Sequence, residues 1–201
     1  MEQIEILYVD DKIDLYVSQY LRSYSKDNIT YKYSEFKFNS KHSYENLLEC
    51  EDVKKADILF LDSMLFENRD VVNNKISGEE LGLIIKKIFP FKEILVITQY
   101  QEKTDYSALR KYNSSTYPNI DSKGFFRENW EKEIVNATNN IILNRNILNN
   151  ISSKHYVEKY LFEKMENSIN GTSSYDDLTK EDVDRLIDTF EEMRKLYEKW
   201  L

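Results

Sequence analysis

Three aspartates, a threonine and a lysine stand at or just after the ends of strand-like runs of this chain. Asp10 and Asp11 follow residues 4–9 (IEILYV), Asp62 follows 58–61 (ILFL), Thr98 follows 94–97 (ILVI), and Lys123 follows 117–121. Carboxylates gathered at one point repel, and they persist there when a cation or protons offset the charge. All-oxygen ligation suits a hard divalent ion such as Mg²⁺, which takes one or two carboxylates and keeps several waters. A carboxylate beside such an ion can attack a phosphoryl group and form an aspartyl-phosphate. The cation, the Lys123 ammonium and the Thr98 hydroxyl would then each serve one phosphoryl oxygen.

That chemistry requires an architecture that brings the run ends together. Residues 4–9, 31–38 (YKYSEFKF), 58–61 and 94–97 read as strands, and 117–121 as a weaker edge strand because of Pro118. Segments 13–24, 43–53, 78–89 and 103–112 have helical character, and a long helix is expected from 127 to about 149. Runs 58–61 and 94–97 are apolar throughout, as expected of strands covered on both faces. Alternating strands and helices predict a doubly wound α/β fold, a five-stranded parallel sheet with helices on both faces. Ligands of such sheets lie beyond the carboxyl ends of the strands, where the five chemical residues fall.

Composition narrows the class further. The chain has 201 residues, 41% of them hydrophobic and 32% charged, with only 4 Gly and 2 Pro, a balance that suits long regular elements. The single cysteine, Cys50, excludes a disulfide framework and cysteine-built metal sites, and Cys50 is expected to be a buried small hydrophobe. Two histidines, His42 and His155, nearly exclude a histidine-built site. His42 is expected at a helix entrance, and His155 on the surface or as a cap. No apolar run approaches the roughly 20 residues of a membrane span, and the N-terminus carries no export signal. A cytoplasmic protein is expected.

From about residue 151 the character changes. Val157, Tyr160, Leu161, Met165 and Ile169 form one helical stripe, and Val183, Leu186, Ile187, Phe190, Met193, Tyr197 and Leu201 form another at coiled-coil-like intervals. The chain therefore divides into an α/β domain over 1–149 and a helical hairpin over 150–201, suited to dimerisation or to docking on a partner. Residues 151–201 hold 8 basic against 12 acidic residues, a net charge of −4, which argues against DNA binding.

The segments IEILYVDD (4–11), DILFLDSML (57–65), GEEL (78–81), ILVIT (94–98) and Lys123 together resemble the receiver domain of two-component response regulators. The resemblance covers roughly residues 1–149. It implies the strand order 2-1-3-4-5, with Asp62 as phosphoacceptor and Asp10, Asp11, Asp62 and the Met64 carbonyl as Mg²⁺ ligands. Thr98 and Lys123 would contact the phosphoryl oxygens. The implied donor is a histidine kinase or phosphotransfer protein, and the implied output is a change in contacts with a downstream protein partner. Such a protein is a bacterial signalling switch, a phosphoprotein that catalyses only its own phosphorylation and dephosphorylation.

Four features depart from the family. The loop over 63–77 is long, Gln99 stands where Ala or Gly is usual, Ile120 replaces an aromatic switch residue, and Gly124 replaces the proline after the lysine. These departures support the alternative of a degenerate pseudo-receiver acting as a phosphorylation-independent scaffold. Met64 and Tyr100 beside the site would hinder an attacking water, so slow hydrolysis of the phosphoryl group is expected.

Overall fold

In the computed structural model the described residues are 2–26, 28–39, 42, 44–65, 77–99, 108–152 and 159–169. Five parallel strands form one sheet in the order β2-β1-β3-β4-β5. They are β1 (Glu2–Asp10), β2 (Ile29–Lys37), β3 (Ile58–Asp62), β4 (Glu93–Thr98) and β5 (Leu109–Arg110). The helices are α1 (Leu15–Arg22), α2 (Tyr44–Glu49), α3 (Glu51–Lys55), α4 (Gly78–Ile88), α5 (Ser122–Ser152) and α6 (Lys159–Ile169).

The period of two along the central strands sorts their side chains onto two faces. Ile4, Ile6 and Tyr8 of β1 join Ile58 and Phe60 of β3 in one core, closed by Val17, Tyr20 and Leu21 of α1 and by Phe126, Trp130 and Ile134 of α5. The alternate residues Leu7, Val9, Leu59 and Leu61 build the second core with Leu47 and Leu48 of α2, Val53 of α3, and Leu81 and Ile85 of α4. β3 is buried along its whole length, as its unbroken apolar run predicts.

Local signals set the helix ends. The Asp14 side chain accepts from the Tyr16 and Val17 amides and caps α1. Ser77 and Glu80 form a reciprocal capping box that starts α4, a pattern legible as S-x-x-E. The expected helix over 43–53 is two short helices that break at Cys50, which is half-buried against the second core. His42 lies two residues before α2, its ring against Phe36 and Phe38.

The edge of the sheet beyond β4 differs from expectation. The fifth strand is Leu109–Arg110, whereas 117–121 belongs to the turn leading into α5. Pro118 therefore sits in a turn, where its fixed φ suits it. The helix expected over 103–112 is excluded at Leu109–Arg110, and residues 100–107 lie outside the described ones. β5 pairs only with Ile97 and Thr98, so Glu93–Val96 lack a strand neighbour on that side among the described residues and are half-buried rather than buried.

α5 is 31 residues long, about 46 Å at 1.5 Å per residue. It starts five residues earlier than expected and runs unbroken through 149–150 to Ser152. Arg145 anchors it to the base of the sheet through Asp57 Oδ1 and the Gln3 carbonyl, both at 2.8 Å. α6 packs against α5. His155, Val157 and the stripe from Val183 to Leu201 lie outside the described residues. Among the described residues no helix is long and apolar enough to cross a membrane.

Candidate functional site

At the carboxyl ends of β1 and β3, one carboxylate oxygen from each of Asp10, Asp11 and Asp62 lies within 4.8 Å of the others. Parallel pairing creates this cluster. Val9 stands opposite Leu61, so the residues that follow each, Asp10 and Asp62, leave the sheet side by side. Asp10 and Asp62 are buried, and Asp11 is half-buried.

The ammonium of Lys111 joins two of the carboxylates. Its Nζ lies 2.7 Å from Asp10 Oδ2 and 2.6 Å from Asp62 Oδ1, and the lysine is 6% exposed. The lysine immediately follows β5, and its amide donates to the Thr98 carbonyl at 2.8 Å, extending the ladder by one residue. Lys123, expected in this role, is exposed in the first turn of α5. The displacement follows from the strand assignment: β5 lies earlier in the chain than 117–121, and the lysine at its end is Lys111. Ile120 and Gly124 consequently have other roles. Ile120 offers its carbonyl to the Tyr112 hydroxyl, and Gly124 donates its amide to Asp121 Oδ1 at the start of α5. Beside Lys111 the chain has Ala108 three residues before and Tyr112 directly after.

The remaining predicted residues occupy the same end of the sheet. Thr98 ends β4 and is 3% exposed. Met64 is 37% exposed, and its amide donates to Asp62 Oδ2 at 3.0 Å. Gln99 is exposed, and Tyr100 lies outside the described residues.

Two further residues escaped the sequence reading. Tyr8 is fully buried on β1, its hydroxyl donates to Asp10 Oδ2, and it accepts from the Asp14 amide at 3.2 Å. Gly78, the first residue of α4, donates its amide to the Ser63 carbonyl at 2.9 Å, which brings the helix start against the Asp62 backbone. Ser63 Oγ also donates to Glu79 Oε1 at 2.8 Å. The alternation of tyrosine and aspartate in Y-V-D would have placed the Tyr8 and Asp10 side chains on the same side of the strand.

Electrostatics follow from burial and crowding. Burial and the neighbouring Asp10 raise the Asp62 carboxyl above its ordinary pKa, against the opposing pull of Lys111 and the Met64 amide. Burial disfavours the Lys111 ammonium, yet Asp62 and Asp10 outweigh it and hold its pKa above the usual lysine value. Burial and then Asp10 push the Tyr8 phenol far above its ordinary range, so it stays a neutral donor.

Three clustered carboxylates, two of them bridged by the Lys111 ammonium, leave an excess of negative charge, and every carboxylate donor is a hard oxygen. That set fits a divalent cation of the Mg²⁺ type.

No protein-family model matches the sequence, and no curated protein matches it. Among solved structures the chain is similar to a two-component transcriptional regulator AraC from Clostridium phytofermentans ISDg. That pair shares 16% identity over 71% of this chain and 97% of the other, with a TM-score of 0.40. A response regulator from Thermotoga maritima shares 15% identity over 83% of this chain and 98% of its own, with a TM-score of 0.31. A response regulator protein from Burkholderia pseudomallei, solved with a phosphorylated aspartic acid, calcium ion and citrate, shares 14% identity over 83% and 95%, with a TM-score of 0.35. These neighbours are two-component or response regulators, and the 2-1-3-4-5 order of the parallel sheet with helices around it is that of flavodoxin-like folds.

Proposed function

We propose that the chain is a response-regulator receiver that accepts a phosphoryl group on Asp62 and signals through altered protein contacts. The observation that carries this reading is the bridge of Lys111 to Asp62 and Asp10 within the carboxylate cluster. Asp10, Asp11 and Asp62, with the Met64 carbonyl, would hold Mg²⁺. When bound, the ion supplies charge neutralisation for the phosphoryl oxygens.

The donor is a phosphohistidine on a histidine kinase or phosphotransfer protein. An Asp62 carboxylate oxygen attacks phosphorus, the P–N bond breaks, and its electron pair returns to the imidazole nitrogen. Lys111 stabilises the charge on one phosphoryl oxygen, and the Thr98 hydroxyl donates to another. The phosphoryl group draws the Lys111 ammonium away from Asp10, so the contacts of β5 and its following turn are the first to respond. Met64, partly exposed beside Asp62, limits the approach of water and slows hydrolysis. The protein is a cytoplasmic switch rather than a metabolic enzyme. Its acidic C-terminal region, 150–201, serves protein contacts, including self-association, rather than DNA.

The competing reading is a scaffold indifferent to phosphorylation. It is favoured by Ala108, which leaves no aromatic residue three positions before Lys111. Beryllofluoride with Mg²⁺, a mimic of the aspartyl-phosphate, separates the two. A rise in melting temperature that is absent in Asp62→Asn supports the switch. An unchanged melt in the wild-type protein supports the scaffold.

A further inference from the structure

Asp10 is more heavily bonded than Asp62. Its Oδ2 accepts from the Tyr8 hydroxyl and from Lys111 Nζ at 2.7 Å, and its Oδ1 accepts from the Lys12 amide at 2.8 Å. A carboxylate offers about four lone-pair sites, so these donors leave about one for a cation. Asp62 accepts from Lys111 on Oδ1 and from the Met64 amide on Oδ2.

Of the donors on Asp10, Lys111 and the Lys12 amide belong to the site's charge balance and to the backbone. Tyr8 belongs to neither. It stands inside the core formed with α1 and α5, where an aliphatic residue would fill the same face of β1, and it is completely buried. A buried tyrosine hydroxyl needs a partner, and this one has two: Asp10 and the amide of Asp14, the cap of α1. The phenol therefore ties the Asp10 carboxylate to the start of α1 and occupies an acceptor site on Oδ2.

We infer that Tyr8 is a positioning residue that restrains divalent-cation binding at this site by holding Asp10 through its hydroxyl. The inference rests on the receiver reading and deepens it. A hydrogen bond to an ionised oxygen draws charge from that oxygen and fills a lone pair, and a cation competing for Asp10 must displace or share it. Asp62, 6% exposed against 1% for Asp10, is left as the more accessible of the two ligands that Lys111 bridges. The chain thus binds the ion less tightly than its three carboxylates alone would allow, and Tyr8 sets that threshold.

The test is calorimetric titration of the full chain with MgCl₂, without any phosphodonor, for wild type, Tyr8→Phe, Asp10→Asn and the double variant. Tyr8→Phe is expected to lower the Mg²⁺ dissociation constant roughly tenfold, the scale of one charge-assisted hydrogen bond. Because Tyr8 acts through Asp10, the same substitution in the Asp10→Asn background is expected to change nothing, which a merely structural role would not produce. Unchanged or weaker binding in Tyr8→Phe overturns the proposal, as does an equal effect in both backgrounds. Melting of each variant in metal-free buffer reports its fold. Should Tyr8→Phe not fold, ring-carbon-labelled tyrosine in the wild-type chain replaces it. The Tyr8 resonance must then shift in step with Mg²⁺ saturation, and a silent Tyr8 overturns the inference. If neither wild type nor Tyr8→Phe takes up Mg²⁺, the receiver reading itself fails and this inference with it, an outcome distinct from a Tyr8 without influence.

Discussion

A Cβ added to Gly78 would lie 2.1 Å from the backbone oxygen of Asp62, closer than any two such atoms can approach. The start of α4 is thus packed directly on the peptide of the candidate phosphoacceptor, and the Gly78 amide secures the contact through the Ser63 carbonyl. Gly78→Ala is expected to destabilise the fold by about 1–3 kcal/mol despite alanine's better helix propensity, because backbone must move to admit the methyl group. A urea midpoint equal to that of the wild type would show that the contact yields easily.

Lys111 and Lys123 make a matched pair for testing which lysine serves the site. Lys111→Met leaves Asp10 and Asp62 buried without their cation and is expected to cost about 3 kcal/mol or more at neutral pH. Lys123→Met, on an exposed position of α5, is expected to fall within about 0.5 kcal/mol of wild type. Denaturant melts of the two variants decide the matter, and equal losses would contradict the assignment.

Lys92 gives the stability a pH dependence remote from the site. Its Nζ donates to the Lys54 and Ala56 carbonyls, both at 2.6 Å, while burial lowers its pKa to about 8 against the opposing influence of Asp57. A lysine with a folded pKa below its unfolded value gives up its proton earlier in the native state. Between pH about 8 and about 10 the unfolded chain therefore holds more protons, and the Lys92 contribution to stability rises with pH. The rise is of order 2 kcal/mol by pH 9.5. Lys92→Met should flatten that part of the profile in denaturant melts at pH 7 and 9.5, and an unchanged slope would remove Lys92 as its source.

The central sheet was readable because buried strands write continuous apolar runs. IEILYV, ILFL and ILVI each lie in a strand, and the aspartates and threonine that follow them gather at one end. β5 was not readable on the same terms. It has two residues, half-buried Leu109 and exposed Arg110, too few to carry a period, and its place is set by pairing with Ile97 and Thr98. The more aromatic segment around Tyr117 therefore looked like the strand and took the lysine assignment with it to Lys123. Tyr8 and Gly78 escaped for a related reason. The Y-V-D alternation places the Tyr8 phenol beside Asp10 but does not mark it as a bond, and the contact of Gly78 with the Asp62 backbone is tertiary and invisible in GEEL.

The most direct test of the account is the intact mass of the protein incubated with Mg²⁺ and acetyl phosphate, beside Asp62→Asn and a metal-free sample. One added phosphoryl group is expected in the wild-type protein, lost in Asp62→Asn and without metal, and retained in Lys123→Met. A phosphoryl group that persists in Asp62→Asn, or uptake indifferent to Mg²⁺, would contradict it.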